Sequence, residues 1–355
     1  EVLRSPYFLA LLVEQVEASG EIPDGRAGLF TGFVRQALRR EVERGSALFE
    51  DGDLLESRDL RKLAKWQWQG PYELPDRGPL IPQLARLAYA MQEARDDGGG
   101  SQVRVDYDEA LDLLDPDLDE TIVKAGAALA VLDEDEAAGE LMYIHQLVQE
   151  YFAARLLAEQ PRPELLRAAW RAAEVSPSLP ELFAGLGAGE TLPPLPQTGW
   201  EETALLAAAM AEDGEAFLRP LMATNLVVAG RAAAQAELRG RLPEPFLDAL
   251  RAALADRCRD PLADLRERLA AGFALGTLGD PRFERIQGPE GSYLRPPLVD
   301  IPGGSYPIGD DDPIDYPDGV TKAHVPRHTV SVAAFRLGRY PVTNAEFACF
   351  LAAGG

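Results

Sequence analysis

The stretch from Gly139 to Glu159 constrains the fold of this 355-residue chain more than any other feature of the sequence. Four apolar or aromatic residues, 141–144, lead directly into His145. The apolar residues then change to helical spacing, at Leu147, Val148, Tyr151, Phe152 and Leu156. This change of period predicts a short buried strand followed by a helix, with the only histidine of the first 323 residues at the junction.

The position of His145 makes it a candidate anion-binding residue. The start of a helix presents unpaired backbone N–H groups and a partial positive charge, which suit an anion. An imidazole at that place adds a further N–H donor toward a phosphate oxygen. The alternative is a histidine that caps the turn or packs without a ligand, and the spacing alone favours this alternative.

The same stretch resembles the end of the winged-helix domain in NACHT-type signalling ATPases, which belong to the STAND class. The matching residues are Tyr143-Ile144-His145, followed by Gln149-Glu150-Tyr151-Phe152-Ala153-Ala154. In relatives with bound ADP, the histidine at this position contacts a phosphate and holds the off state. The resemblance therefore implies that His145 senses the bound nucleotide.

A second match to these ATPases lies near the N-terminus. Ser5 is a good helix N-cap and Pro6 fits the first helical position. The run Ser5-Pro6-Tyr7-Phe8-Leu9 resembles the start of the small helical domain that follows the NACHT ATPase core, where the proline lies against the adenine ring. The resemblance implies that Pro6 contacts ADP or ATP, although helix initiation is a sufficient alternative. The nucleotide is expected only together with an upstream ATPase core, and the segment alone is expected to hold no cofactor.

The predicted fold class is mostly α. We expect a small helical domain at 1–78, a winged-helix domain at 79–160, an irregular HEAT-like α-solenoid at 161–283, a linker at 284–297 and part of an α+β domain at 298–355. A loop at 51–79 carries Trp66 and Trp68, which are predicted to be local core because no basic cluster surrounds them in the sequence.

The Ala-, Leu- and Arg-rich composition of the third part predicts a series of helices: Pro163–Ala173, Leu179–Leu186, Trp200–Met210, Ala216–Ala229, Ala232–Leu238, Glu244–Ala255 and Pro261–Leu278. For the last helix, Asp260 is the predicted cap. Its predicted apolar positions are Leu262, Leu265, Leu269, Phe273 and Leu278. The run Ala271–Pro281 resembles a HEAT-like repeat, but no clean 40-residue period extends over the region.

The last part resembles the start of the formylglycine-generating-enzyme domain, also called sulfatase-modifying-factor-like, which has a C-type-lectin-like fold. The matching runs are Ile301–Gly304, Ile308-Gly309, Pro326–Val330 and Arg339–Phe347. The resemblance covers about the last 58 residues, so a truncated domain is expected. The copper-binding cysteine pair of such enzymes lies in the distal part of the domain, and Cys349 is interpreted as a small buried hydrophobe. Relatives usually carry an acidic pair before the residue equivalent to Pro326, whereas this sequence has Lys322-Ala323-His324-Val325. This difference argues against an ordinary loop structure at that place.

No catalytic or metal site is predicted within these 355 residues. The sequence has no G-x-x-x-x-G-K-[ST] phosphate loop and no apolar strand that ends in an acidic pair, so the segment is not expected to hydrolyse ATP by itself. His324 and His328 are four residues apart, but Pro326 between them makes a shared helical face unfavourable. Whether the parent protein is an enzyme stays open, with an NTPase expected.

The charge and cysteine content exclude several classes of partner. The net charge is −23, and residues 106–140 contain 13 acidic residues against Lys124 alone. Nucleic acid and anionic membrane are therefore not expected as partners. Cys258 and Cys349 have no partner motif, which indicates free thiols in a reducing compartment. With no apolar run approaching 18 residues and no signal peptide at the start, the predicted location is cytoplasmic.

Two functions follow as hypotheses. In the first, the chain is an interior piece of a STAND-type ATPase that couples nucleotide sensing to a C-terminal ligand-binding domain, in bacterial defence or signalling. Its expected partners are the upstream NTPase core, an effector domain, an unknown trigger ligand and further copies of itself on activation. In the alternative, the terminal domain belongs to a formylglycine-generating oxidase or nonheme-iron enzyme whose catalytic part lies beyond Gly355, and the helices are a scaffold.

Overall fold

The computed structural model describes residues 6–354 except 21, 24, 51, 95–103, 188, 290, 313, 317–318 and 322–324. The chain divides into two compact units, an N-terminal unit (Glu1–Gly279) and a C-terminal unit (Asp280–Gly355). The N-terminal unit is built of helices with one small sheet, and the C-terminal unit is built mainly of short strands. The predicted divisions near residues 78 and 160 lie inside the N-terminal unit and stay predictions.

Among the described residues, the first part of the N-terminal unit contains eight helices and a three-stranded sheet. In chain order these are α1 (Pro6–Ser19), α2 (Gly25–Glu43), α3 (Ala47–Glu50), α4 (Ser57–Lys65), α5 (Leu80–Glu93), β1 (Arg104–Asp106), α6 (Tyr107–Asp112), α7 (Asp119–Ala128), β2 (Leu132–Asp135), β3 (Glu140–Tyr143) and α8 (Gln146–Glu159). The strand and the helix predicted on either side of His145 are therefore present, as β3 and α8.

The small sheet is antiparallel, with strand order β1-β3-β2. Leu141 at its centre pairs with Val105 on one side and with Glu134 on the other. Gly139, with a φ of +67°, makes the turn between β2 and β3 in a conformation that favours glycine. Leu141 and Tyr143 point to the buried face, as the two-residue period of a strand requires, and the Tyr143 hydroxyl donates to the Leu84 carbonyl oxygen at 2.6 Å.

Helix α8 forms the centre of the core. It packs against α5 and α10 (Glu201–Met210), and it also contacts α2 and β3. Tyr151 and Phe152 are completely buried, and their rings meet edge to face at 5.4 Å between centroids. The Phe30 ring lies 5.5 Å from Tyr151 and the Tyr143 ring 5.9 Å from Phe152. Aromatic contacts thus join α2, β3 and α8 into one core.

The helical region that follows contains six helices: α9 (Leu179–Gly185), α10, α11 (Gly214–Thr224), α12 (Leu226–Ala233), α13 (Glu244–Arg259) and α14 (Leu265–Leu278). The predicted helix at 163–173 is wrong, because the chain forms only a short 3₁₀ turn at Pro163–Leu166 and then becomes extended. The extended part is held by backbone hydrogen bonds from Asp264 to Trp170 and from Ala172 to Leu262.

The single helix predicted at 216–229 is two helices, α11 and α12. Asn225 divides them because its side chain caps α12, with the oxygen accepting from the Val228 N–H at 3.1 Å. Its amide nitrogen donates to the Leu166 carbonyl oxygen at 3.0 Å. A side chain that satisfies helix-end groups in this way stabilises a break in the helix.

Helix α14 departs from its prediction in both start and orientation. It begins at Leu265, and Asp264 rather than Asp260 caps it by accepting from the Arg266 N–H. Of its five predicted apolar positions, Leu278 is partly buried against the core, but Leu262, Leu265, Leu269 and Phe273 are 67%, 37%, 49% and 77% exposed. Ala271, Ala274 and Leu275 are buried instead, in the helix that packs against α12 and α13. Small residues allow helices to approach closely, which apolar spacing alone did not reveal.

The C-terminal unit consists of paired strands and one helix: β4 (Glu284–Gly288), β5 (Gly291–Arg295), β6 (Leu298–Ile301), β7 (Gly304–Ile308), β8 (Ile314–Tyr316), β9 (Gly319–Thr321), β10 (His328–Val332), β11 (Phe335–Gly338) and α15 (Asn344–Ala352). The antiparallel pairs are β4–β5, β6–β11, β7–β10 and β8–β9. Residues 284–297, predicted as a linker, contain the β4–β5 hairpin.

Among the helices that the structure describes, none is long and apolar enough to cross a membrane.

Replacement of Phe152 by alanine tests the central role of α8. We expect Phe152→Ala to lower the free energy of unfolding by about 3–5 kcal/mol, because a large, fully buried ring is lost from a packed core. Phe183→Ala is the matched control, since this ring in α9 is 58% exposed, and it should change stability by less than about 0.5 kcal/mol. Urea denaturation of both variants measures the difference, and equal effects would contradict the packing described here.

Candidate functional site

The candidate site at the β3–α8 junction is built around His145. The residue is extended, with φ of −155° and ψ of 142°, and it is the N-cap of α8. Its Nδ1 accepts a hydrogen bond from the Leu147 N–H at 3.1 Å. Its carbonyl oxygen accepts from the Val148 and Gln149 N–H groups. The histidine therefore satisfies the start of the helix through both its side chain and its backbone.

This geometry sets the protonation state of the imidazole. A ring nitrogen that accepts a hydrogen bond carries no proton, so the hydrogen of the neutral ring lies on Nε2. The ring is partly buried, and this burial lowers the pKa of His145 from its usual 6.5. Both effects favour the neutral imidazole at pH 7. Toward a phosphate, such a ring offers a neutral N–H donor and no positive charge.

The capping histidine was the alternative left open by the sequence, and it is the geometry found here. Its predicted contact with a phosphate stays a prediction. Pro6 is the first residue of α1, but its side chain lies outside the described residues. The predicted contact of Pro6 with adenine therefore also stays a prediction.

Two arginines tie α2 and α8 to the loop at 66–79. Arg35 donates from Nε and Nη2 to the Glu73 carbonyl oxygen and from Nη2 to that of Gly70, at 2.7–2.9 Å. Burial lowers its pKa to about 10. Arg155 donates to the Tyr72 carbonyl oxygen at 3.0 Å and to the Tyr151 hydroxyl at 3.3 Å. The sequence analysis did not identify these arginines, because most of their hydrogen-bond acceptors are backbone oxygens of a loop that is distant along the chain.

The two tryptophans of the loop are partly buried, and each meets an arginine of α2. The guanidinium carbon of Arg35 lies 4.2 Å from the centroid of Trp68, and that of Arg39 lies 5.1 Å from the centroid of Trp66. Trp68 packs against the hydrophobic core, as its prediction as local core requires. The arginines are distant in sequence, and the fold brings them to the rings, where cation–π attraction holds them.

Glu202 connects α10 to two other helices. Its two carboxylate oxygens pair with Arg26 of α2 at 2.6 Å and with Arg231 of α12 at 2.5 Å. Burial by itself raises the pKa of Glu202, but the two guanidinium groups outweigh that effect and lower it. The carboxylate is consequently ionised at neutral pH and joins the N-terminal helices to the helical region.

Two neighbouring cavities lie in the helical region, with volumes of about 550 and 250 Å³. Ala168, Ala169, Pro196 and Gln197 line both of them. The smaller cavity also contains Arg231 and Arg257 in its wall. No motif in the sequence indicated these cavities, because their walls come from extended segments and from several helices that are separated along the chain.

The motifs of the C-terminal unit lie on its strands and on α15. Ile308 pairs with His328 and Ile301 pairs with Phe335, so the predicted β-strand motifs face each other in two ladders. Thr343 caps α15 in a reciprocal arrangement with Glu346. Cys349 lies in α15 with an intermediate exposure rather than fully buried as predicted.

Residues 288–355 match the model of the sulfatase-modifying factor enzyme 1-like domain. A formylglycine-generating enzyme of Mycobacterium tuberculosis (strain ATCC 25618 / H37Rv) is 48% identical over 58 residues. That alignment covers 16% of this chain and 17% of the enzyme, so the chain spans about a sixth of the length of this curated relative. No solved structure matches the chain.

Among its described residues, the part of the chain shared with these proteins shows no metal cluster. Within the described residues, no group of three or more His, Cys, Asp or Glu side chains is placed to hold a metal ion. His328 is exposed, and its Nδ1 lies 3.0 Å from the Pro326 carbonyl oxygen. His324, the other histidine of the predicted loop, lies outside the described residues.

The titration of His145 gives a test of its capping role. Because the pKa is lowered in the folded state, protons bind the unfolded chain more tightly, so the stabilisation is complete above pH 6.5 and is lost as the pH falls toward the folded-state pKa. We expect His145→Asn, whose amide oxygen can also cap, to remove this loss. Urea denaturation at a series of pH values between 7.5 and 5 measures it.

Two further variants complete this test. His145→Ala should cost about 1 kcal/mol at pH 7.5, because a helix cap is removed. Phe183→Ala changes an exposed side chain that does not titrate, and its pH profile should match that of the wild type. A wild-type profile in His145→Asn, or no loss in His145→Ala, would show that the imidazole does not act as the cap.

Proposed function

We propose that this chain is the regulatory and sensory part of a NACHT-type signalling ATPase, in which a sulfatase-modifying-factor-like domain binds the trigger. The observation that carries the proposal is the position of His145 at the start of α8. The imidazole lies at the start of α8, and this helix contacts α2, α5, β3 and α10, which belong to three predicted domains. A contact between the imidazole and a phosphate therefore acts on elements of all three.

The order of elements in 80–159 supports the same proposal. Helix α5 is followed by β1, α6, α7, β2, β3 and α8, and the three strands form one antiparallel sheet. Helices that alternate with strands and end in a hairpin are what a winged-helix domain needs. The acidic residues at 106–140 argue against DNA as the partner of this domain. A role within a protein assembly fits both observations.

The proposed mechanism is a shift between two states. With ADP bound to an upstream ATPase core, the Nε2–H of His145 donates to a phosphate oxygen and Pro6 lies against the adenine, which favours the closed state. A trigger that binds the C-terminal domain more tightly in the open state shifts the balance, so nucleotide exchange and self-association follow. The binding free energy of the trigger must differ between the open and the closed state. This difference must be comparable with the free-energy difference between the two states, about a few kcal/mol.

The nucleotide content of the protein with its ATPase core tests this proposal. We expect the wild type to retain ADP through purification and both His145→Ala and His145→Asn to lose most of it. The asparagine variant separates the two roles of the residue, since asparagine can cap the helix but lacks the imidazole Nε2–H. Chromatography of the acid-released nucleotide, with protein concentration as the reference, measures the ratio of ADP to protein.

The result for His145→Asn decides between sensor and cap. Retention of ADP in this variant, or absence of ADP from the wild type, would overturn the sensor role. Phe183→Ala is the matched control, because it changes an exposed side chain of α9 and should leave the ADP content unchanged.

The similarity of residues 288–355 favours a second candidate function. The curated relative is named a formylglycine-generating enzyme, and its 48% identity over 58 residues lies in this C-terminal part. Under this proposal the terminal domain, continued beyond Gly355, acts as an oxidase or nonheme-iron enzyme, and the helices are a scaffold. Cys349 has no catalytic role in it, because it lies in the α15 helix next to neither a described metal cluster nor a second described cysteine.

Formation of formylglycine in a sulfatase-derived peptide tests this candidate. If the domain is an enzyme, mass spectrometry should detect the product with the protein in its complete natural length, and Cys349→Ala should retain the activity. No product from the complete protein, with the Mycobacterium tuberculosis enzyme as the positive control, would exclude this function and leave the binding role.

A further inference from the structure

We propose that the 250 Å³ cavity of the helical region binds a small carboxylic acid with an apolar or aromatic tail. The site is independent of the nucleotide-sensing role proposed above. It is called the arginine cavity here and is defined by Trp170, Leu195, Leu226, Arg231, Arg257 and Ala270, with further lining residues in the extended segments and in α10, α11, α12 and α14. Its volume is near the lower end of small-molecule sites, so the ligand is small.

The charged groups of the wall have more hydrogen-bond donors left than acceptors. Arg257 pairs with Glu267 at 2.5 Å, and Arg231 pairs with Glu202. These are the hydrogen bonds described for the two guanidinium groups, and each such group carries five N–H donors. Several donors of each arginine are therefore available to a ligand that accepts hydrogen bonds.

The carboxylates of the wall are already engaged. Glu201 accepts from the backbone N–H and hydroxyl of Thr198 through one oxygen, and from the Gly199 N–H through the other. Glu267, with only 8% of its side chain exposed, is in the ion pair with Arg257. Burial raises the pKa of Glu267 against the lowering effect of Arg257.

The N-terminus of α12 gives the cavity a further electrostatic preference for an anion. Asn225 caps α12, and the first turn of the helix, from Leu226 to Val228, lines the cavity. The N-terminus of a helix carries a partial positive charge. Both functional groups of the Asn225 side chain are occupied, by the Leu166 carbonyl oxygen and the Val228 N–H. The asparagine therefore does not compete with a ligand for the arginines.

The rest of the cavity wall is mostly apolar and suits the hydrocarbon tail of the ligand. Leu195, Leu226, Val227 and Ala270 provide aliphatic surface, and Trp170 provides an aromatic ring. The guanidinium carbon of Arg257 lies 3.5 Å from the centroid of that ring, which holds the arginine in place. A free phosphate would leave this apolar surface without a partner, whereas a carboxylate with a hydrocarbon tail satisfies both parts of the wall.

Phenylacetate and hexanoate are suitable probes, with phenylacetamide and hexanamide as neutral counterparts. Calorimetric titration of the 355-residue chain at pH 7 should show saturable binding of at least one acid, and binding of its amide should be about tenfold weaker or more, because a charge-assisted hydrogen bond to arginine is lost. Saturable binding of neither acid at millimolar concentration, or equal binding of an acid and its amide, would overturn the proposal.

Two variants place the binding in the arginine cavity. Arg231→Gln removes a guanidinium at the rim, while Glu202 keeps Arg26 as its partner, and it should weaken binding of the acid about tenfold. Ala270→Leu fills the cavity from α14 and should abolish binding. Unchanged affinity in either variant would overturn the proposal. Thermal denaturation checks that both variants remain folded.

Arg219→Gln is the matched control for the loss of charge. Arg219 lies on α11, pairs with one carboxylate, that of Glu215, and does not line the arginine cavity. The variant should bind the acid as the wild type does. A loss of affinity equal to that of Arg231→Gln would show that net charge and not the cavity determines binding, and it would also overturn the proposal.

Discussion

The burial of helix α8 is the constraint on which the N-terminal unit depends. Tyr151 and Phe152 lie at its centre, and the helix is shared by α2, α5, β3 and α10. None of these elements buries its apolar face alone, so a common central helix makes their folding interdependent. His145 caps the first turn of this helix, so its imidazole lies at the start of the element that the whole core shares.

Charged groups at the edges of this core restrict its geometry. Arg35, Arg155 and Glu202 each bond to groups far away in the sequence. Arg266 and Asp264 form a nearly buried pair at 2.9 Å, and Arg266 also donates to the Pro177 carbonyl oxygen. Removal of one partner from a buried pair costs more than the pair contributes, because the remaining charge is left buried without a counter-charge.

The sequence predicted the elements around His145 well because their signals are local. A change from strand to helical period and a capping residue depend only on near neighbours, and both are found at the β3–α8 junction. Helix α14 shows where such signals fail. Its leucines have helical spacing, but Leu269 and Phe273 are exposed, while Ala271 and Ala274 pack against α12 and α13. Spacing reveals an apolar face without revealing which face the neighbouring helices can approach closely.

The sequence by itself determined the helix-rich composition, the junction at His145 and the similarity of the C-terminal residues to a sulfatase-modifying factor enzyme 1-like domain. Only the tertiary structure decided that Arg35 and Arg39 meet the two tryptophans and that Arg231 and Arg257 line one cavity. The physical reason is distance along the chain. Capping and periodicity are encoded within a few residues, whereas the pairing of a charge or the shape of a cavity depends on how separate helices pack.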